Sequence, residues 1–432
     1  MAKLTDLSNE LLYSIVAHLE TGRWSDVRAL WRLCNTSRAL AAVAQPALYT
    51  CVVLGQSIPE TMRSLELFLR TCVERPKLAK KTRSLTLHYH RPAPYEGPDL
   101  MRRPTFDKLL ALFETQNLDS ERSMLYQTLV LCTLLCLPNL RHLRMDTHNL
   151  PPRGLLQGMH AMRASSDAFL AKLETFHLHK HFDNQPINIV DYIPLLRYPS
   201  FSSFSTENEA SAGNDAHPAT NVLTPSAIEL WWSLGPLATM RQALEACSRL
   251  KTFRFVIPDD RRFGGMLPDD IGSQPLVTPQ DLVIALLEKH KATLKTLELH
   301  FNSHYDMRDA WFQEDIELHG EDSLHYVYPS FRDFEMLSHI TIQFEKLTNL
   351  CHLPESLRYL KLQDCYFDTE LSEDCLRGML KLKDTWCPLI EQLSLQGHHV
   401  LDAIDMIEEI ARSLDLRIFE SLDKGLVSFP NL

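Results

Sequence analysis

Three histidines at alternate positions, His177, His179 and His181, hold the plainest chemical potential in the chain. On a strand, alternation puts all three on one side, where imidazole nitrogens could meet a metal ion. Asp183 is the only carboxylate close by and no cysteine joins them, so the spacing favours a solvent-facing histidine row over a metal site. Cys132 and Cys136 lie four apart on an apolar helical run, where thiols pack as small hydrophobes. The pairs Asp259-Asp260 and Asp269-Asp270 flank a turn bearing Pro258, Gly264, Gly265 and Pro268. Paired carboxylates can do acid–base work, but this setting reads as loop surface. No Gly-x-Ser-x-Gly elbow, phosphate loop or dinucleotide fingerprint occurs. The expectation is no catalytic set, no metal, no cofactor and no enzymatic activity. An unrecognised site within 199–330 is the enzymatic alternative.

The histidine row belongs to a figure that recurs along the chain: a leucine-like residue, two spacers, then apolar-x-apolar. It appears as Leu140-Arg-His-Leu-Arg-Met145, Leu173-Glu-Thr-Phe-His-Leu178, Leu250-Lys-Thr-Phe-Arg-Phe255 and Leu294-Lys-Thr-Leu-Glu-Leu299. It returns as Leu337-Ser-His-Ile-Thr-Ile342, Leu357-Arg-Tyr-Leu-Lys-Leu362 and Ile390-Glu-Gln-Leu-Ser-Leu395. Leu85 and Leu87 open the series with the same period of two. The figure resembles the leucine-rich repeat, in which short strands stack in parallel and bury one face against their neighbours. Spacings between successive strand starts run from 20 to 77 residues, so the array is irregular. The polar residues between the buried pairs then form an open face suited to holding a protein segment. The candidate target-binding residues are Arg144, His177, His179, Arg254, Glu298, His300, Tyr359 and Lys361.

Helical material fills the gaps. Met62, Leu65, Leu69 and Cys72 share one stripe. Phe106–Cys136 and Pro225–Cys247 read as helical, and Ser372-Glu-Asp opens another helix over Leu376, Met379 and Leu380. Thr278-Pro-Gln-Asp281 offers a cap and a first-turn proline, with Leu282, Ala285 and Leu286 facing in. Residues 199–222 are rich in Ser, Asn, Ala and Thr and read as an insertion. Residues 302–322 hold seven acidic residues against one basic and read as a second, solvated one.

The first fifty residues carry a separate signature. Leu7, Leu11, Leu12, Ile15, Val16 and Leu19 fall at helical spacing after Asp6 and Ser8, which can cap. A second helix presents Val27, Leu30, Leu33 and Cys34, and Pro46 stops a third. Three helices this short cannot bury so much apolar surface among themselves. Leu7, Glu10, Leu11, Leu12, Ile15, Leu19, Leu33, Cys34, Arg38 and Leu48-Tyr49 stand where an F-box has its characteristic residues, with Ser8 replacing the usual proline. The resemblance covers about an eighth of the chain. It implies docking onto the Skp-type adaptor of a cullin-RING ubiquitin ligase through Leu4, Leu7, Ser8, Leu11, Leu12, Ile15, Leu19, Val27, Leu30, Leu33 and Cys34. The combination of a loose F-box with degenerate repeats looks most like fungal F-box proteins.

The expected fold is therefore α/β. A three-helix F-box-like module (1–54) precedes a linker helix and first strand (55–105) and an irregular leucine-rich-repeat-like solenoid of short parallel strands and helices (106–432). The resemblance implies a substrate-recognition subunit of a ligase, or, as the alternative, a protein-binding scaffold acting outside one. Ten scattered cysteines fit a reducing, cytoplasmic or nuclear setting. A net charge of -11 argues against nucleic acid, and no apolar run is long enough to span a membrane.

Overall fold

The computed structural model describes residues 7–19, 24–55, 61–89, 122–148, 152–181, 195–197, 199–207, 224–231, 237–257, 277–301, 327–344, 346–347, 349–366, 382–398 and 417–420. The chain divides into two compact units: residues 1–185 with 194–206, and residues 186–193 with 207–432. The expected helices at 106–121 and 372–380, the second insertion at 302–322 and the paired aspartates at 259–260 and 269–270 lie outside the described residues.

Unit 1 begins with three helices, α1 (Asn9–His18), α2 (Trp24–Thr36) and α3 (Arg38–Leu48). Ser8 and Ser37 cap α1 and α3 by accepting from the N–H groups of Leu11 and Leu40. Their shared core is Leu12, Val16, Leu30, Leu40, Val43, Ala44 and Ala47, with Leu19, Leu33, Cys34 and Leu48 packed against it. Strand β1 (Cys51–Leu54) comes next, then α4 (Thr61–Glu74) and α5 (Pro76–Ala79). The stripe read from the sequence faces inward on α4: Met62, Leu65, Leu69 and Cys72 are all buried. Tyr49, at the end of α3, stacks on Phe68 with ring centroids 6.0 Å apart, tying the three helices to α4. Then come β2 (Ser84–Tyr89), α6 (Arg122–Leu135), β3 (His142–His148), α7 (Pro152–Ser165), β4 (Thr175–His181) and β5 (Ser203–Glu207).

Unit 2 carries β6 (Ala227–Trp231), α8 (Leu237–Ala246), β7 (Thr252–Val256), α9 (Pro279–His290), β8 (Thr296–His300), β9 (His339–Gln343), β10 (Tyr359–Tyr366), β11 (Gln392–His398) and β12 (Arg417–Glu420). Thr278 caps α9 as expected, accepting from Asp281 N–H at 3.1 Å, and Leu282, Ala285 and Leu286 are buried. In each unit the strands lie side by side in chain order, and the registered pairs are parallel. Among the described strands of each unit the order does not reverse. The described strands therefore show no switch point of the kind at which doubly wound α/β sheets hold ligands. This order is compatible with the solenoid-like arrangement that the repeat predicts.

The repeat can be seen atom by atom. At each strand start one carbonyl accepts from two successive N–H groups on the next strand. Thr50 receives Arg83 and Ser84, Arg83 receives Arg141 and His142, and Arg141 receives Glu174 and Thr175. In unit 2, Ser226, Lys251, Lys295, Ser338 and Arg358 accept in the same way. The leading leucines Leu140, Leu173, Leu250, Leu294, Leu337 and Leu357 are fully buried, as are the apolar-x-apolar pairs. Before β2, Thr82 fills the leucine's place and is equally buried.

The structure differs from the sequence reading at two strands. β5 lies inside the stretch read as an insertion, because Phe201, Phe204 and Thr206 point in while serines alternate outward. β6 lies in a stretch read as helix. Ile228 and Leu230 are buried at a spacing of two, and helix begins only at Leu237.

Candidate functional site

Helix α1 is apolar on two sides. Leu12 and Val16 point into the three-helix core at 5% and 6% exposure, while Leu11 is 54% and Ile15 39% exposed. Leu11 and Ile15, four apart, form an outer stripe on α1, and Leu7, just before the Ser8 cap, is also exposed. Tyr13 on α1 and Trp31 on α2 add two exposed aromatic rings that the periodicity did not single out. Both sit off the inward stripe, and an off-stripe aromatic was the signal available. Among the other expected docking residues, Ser8 is the cap, and Leu19, Val27, Leu33 and Cys34 are half-buried. Leu30, like Leu12, is sealed inside, so these two hold helices together and present nothing to a partner. Leu4 lies outside the described residues.

The open face of unit 1 is a regular grid. Register aligns Ser84, His142 and Thr175 in one row, Thr86, Arg144 and His177 in the next, and His88, Asp146 and His179 in the third. His142 Nδ1 lies 2.9 Å from Thr175 Oγ1, and Arg144 Nε lies 3.3 Å from Asp146 Oδ1. His88 Nδ1 pairs with the other oxygen of Asp146. Burial pushes the Asp146 carboxyl upward. The His88 hydrogen bond and the charges of Arg144, His88 and His179 outweigh it and hold the group down at about 2.

In unit 2 the corresponding row is Glu229, Arg254, Glu298, Thr341, Lys361 and Ser394. Arg254 is clasped between Glu229 at 3.3 Å and Glu298 at 3.1 Å. Tyr359 stacks on His339 with centroids 5.8 Å apart, and burial, moderated by a hydrogen bond with Ser394, raises its pKa. His300 Nε2 meets Asp364 Oδ2 at 3.1 Å, and Gln343 Nε2 donates to the same oxygen at 3.0 Å. Asp364 sits at a register shift in β10 with φ of 52°, a left-handed conformation that side-chain-bearing residues rarely adopt. Burial pushes its carboxyl up, and His300, Gln343 and Lys346 bring it below the ordinary value. Sequence reasoning missed Glu229, because β6 was not read as a strand, and Asp364, because no periodicity announces a bulge.

The grouping is thus partial. Arg144 with His177, and Arg254 with Glu298, occupy neighbouring places in a register row. Lys361 shares the unit 2 row without an ion pair to Arg254 or Glu298 among those resolved. Among the described residues no group of three His, Cys, Asp or Glu side chains could hold a metal ion. The Cys72, Cys132, Cys247 and Cys387 thiols are buried, which pushes each up to about 12 and leaves them as packing groups. Among the described residues no helix is long and apolar enough to cross a membrane. No protein-family model matches the chain, and none of the curated proteins resembles it closely enough to count as a match.

Proposed function

We propose that this protein is a non-catalytic substrate receptor of an SCF-type ubiquitin ligase. The N-terminal helices are an F-box-like module that docks a Skp-type adaptor, and through it a cullin-RING ligase. The strand faces hold a target protein, in the cytoplasm or nucleus. The receptor's physical contribution is proximity: a tethered target meets the conjugating enzyme at raised effective concentration.

The observation that carries this reading is the outer stripe of α1. Leu7, Leu11 and Ile15 stay exposed after the module has built its own core from Leu12, Val16 and Leu30. A helix that needs only one apolar face to fold has two, and the second fits a groove on another chain. Burying each such side chain contributes roughly 1.5–3 kcal/mol. Three of them, with Tyr13 and Trp31 alongside, can outweigh the loss of freedom on association.

The test is capture of a purified Skp-type adaptor by the full chain and by the L11D/I15D variant. Losing two anchors of about 1.5 kcal/mol each corresponds to roughly a hundredfold weaker binding. Undiminished capture by a variant with an unchanged circular dichroism spectrum overturns the proposal.

A further inference from the structure

We propose that the open face of β2, β3 and β4 is a docking site for an acidic peptide segment, engaged more tightly as its imidazoles take up protons. The inference rests on the receptor reading for the role of the bound chain and adds the chemistry of the target.

The nine grid positions hold one arginine, four histidines, three hydroxyl residues and one carboxylate. At ordinary strand spacings they span roughly 10 Å by 14 Å, the footprint of about four extended residues. Arg144 stands at the centre, flanked in its row by Thr86 and His177 and along its strand by His142 and Asp146. Its side chain is 39% exposed, and its contact with Asp146 runs through Nε. His142 is exposed, and His88, His177 and His179 are half-buried. Asp146, by contrast, is 10% exposed and already held by both His88 and Arg144. The face therefore shows solvent its guanidinium while its carboxylate is largely shielded. Carboxylates on an incoming segment complement it, whereas a basic segment would meet Arg144 and find the carboxylate shielded.

The neighbouring charges are few. From β1, the same register brings Cys51 and Val53 to this side. From β5, alternation brings Ser203 and Ser205. Beyond the grid, register sets His148 beside His181. At the strand starts Arg141 and Glu174 pair with each other at 3.0 Å. With neutral imidazoles the fixed charges on the grid are Arg144 and Asp146. Each histidine that protonates shifts the face toward cationic, and the grid holds four.

The experiment is fluorescence anisotropy of a labelled twelve-residue peptide with six glutamates spaced by Gly and Ser, titrated with the full chain at constant salt. Glutamate stays ionised from about pH 5.5 to about pH 8, so any response to pH comes from the protein. Binding about tenfold tighter at the lower pH is expected, with no such response for the matched glutamine peptide. R144Q and H177Q/H179Q abolish the response, whereas H18Q/H160Q, which removes exposed histidines from α1 and α7, retains it. Circular dichroism melts confirm that each variant is folded, and the milder H142Q, at an exposed position, should halve the response or more. Equal binding of the glutamine peptide overturns the inference. So does a response that survives H177Q/H179Q, or tight binding of a phosphoserine version with no pH dependence. Adaptor capture is measured on the same preparations. Capture without peptide response sinks this inference alone, and peptide response without capture sinks the receptor reading alone.

Discussion

Replacing Asp146 with Asn isolates the electrostatics of the unit 1 face. The carboxyl titrates at about 2 instead of the ordinary 3.8, because the His88 hydrogen bond and nearby positive charges overcome the burial that would raise it. That difference corresponds to about 2 kcal/mol of stability. Its sign comes from linkage. A group whose folded-state pKa is depressed stabilises the fold above its unfolded value of 3.8, and the stabilisation is lost as pH falls toward 2. Asn keeps the shape but not the charge, so D146N should lose up to about 2 kcal/mol near neutral pH and almost nothing near pH 2. The Cys132 thiol, fully buried on α6 in the same unit, reports local opening through its labelling by a thiol reagent. When reclosing outpaces labelling, the rate tracks the open population, and 2 kcal/mol becomes about a thirtyfold faster reaction in D146N near pH 7.5. Melts monitored by circular dichroism supply the acid arm. Equal labelling rates would refute the reasoning, and so would a stability gap that persists near pH 2.

Two further substitutions test packing. Leu12→Ala should lower stability by roughly 2–5 kcal/mol in a thermal melt, since Leu12 lies inside the three-helix core, whereas Leu11→Ala next door should stay within about 0.5 kcal/mol. Gly158→Ala on α7 would place a Cβ 2.4 Å from Leu131 Cδ1 on α6. Leu131 is 2% exposed and has little room to yield, so overpacking of about 1–3 kcal/mol should outweigh the helix-propensity gain of about 1 kcal/mol, seen as a lower urea midpoint.

The repeat was legible because its physics is local. A leucine three residues before an alternating pair, replaced by Thr82 before β2 and Ile390 before β11, is buried with that pair, and all eight anticipated strand starts, from Leu85 to Leu393, fall in strands. β5 escaped because Thr206 stands where the second apolar residue would be and serines dominate its outward side. β6 escaped because Pro225 stands where the leading leucine would be. On α1 the spacing revealed an apolar helix but not how it divides. Leu11-Leu12 and Ile15-Val16 are adjacent pairs about 100° apart around the helix, and only packing decides that Leu12 and Val16 go in while Leu11 and Ile15 stay out. The ion pairs on the open faces depended on strands up to 64 residues apart, as His300 is from Asp364, which no single segment discloses.

Hydrogen–deuterium exchange of the full chain with and without a purified Skp-type adaptor tests the central claim most directly. Docking through the outer stripe predicts slowed exchange across 7–19 and around Trp31, with the strand peptides 84–89, 142–148 and 359–366 unchanged. An adaptor that leaves α1 exchanging at its free rate, or that protects the strand faces instead, contradicts the account.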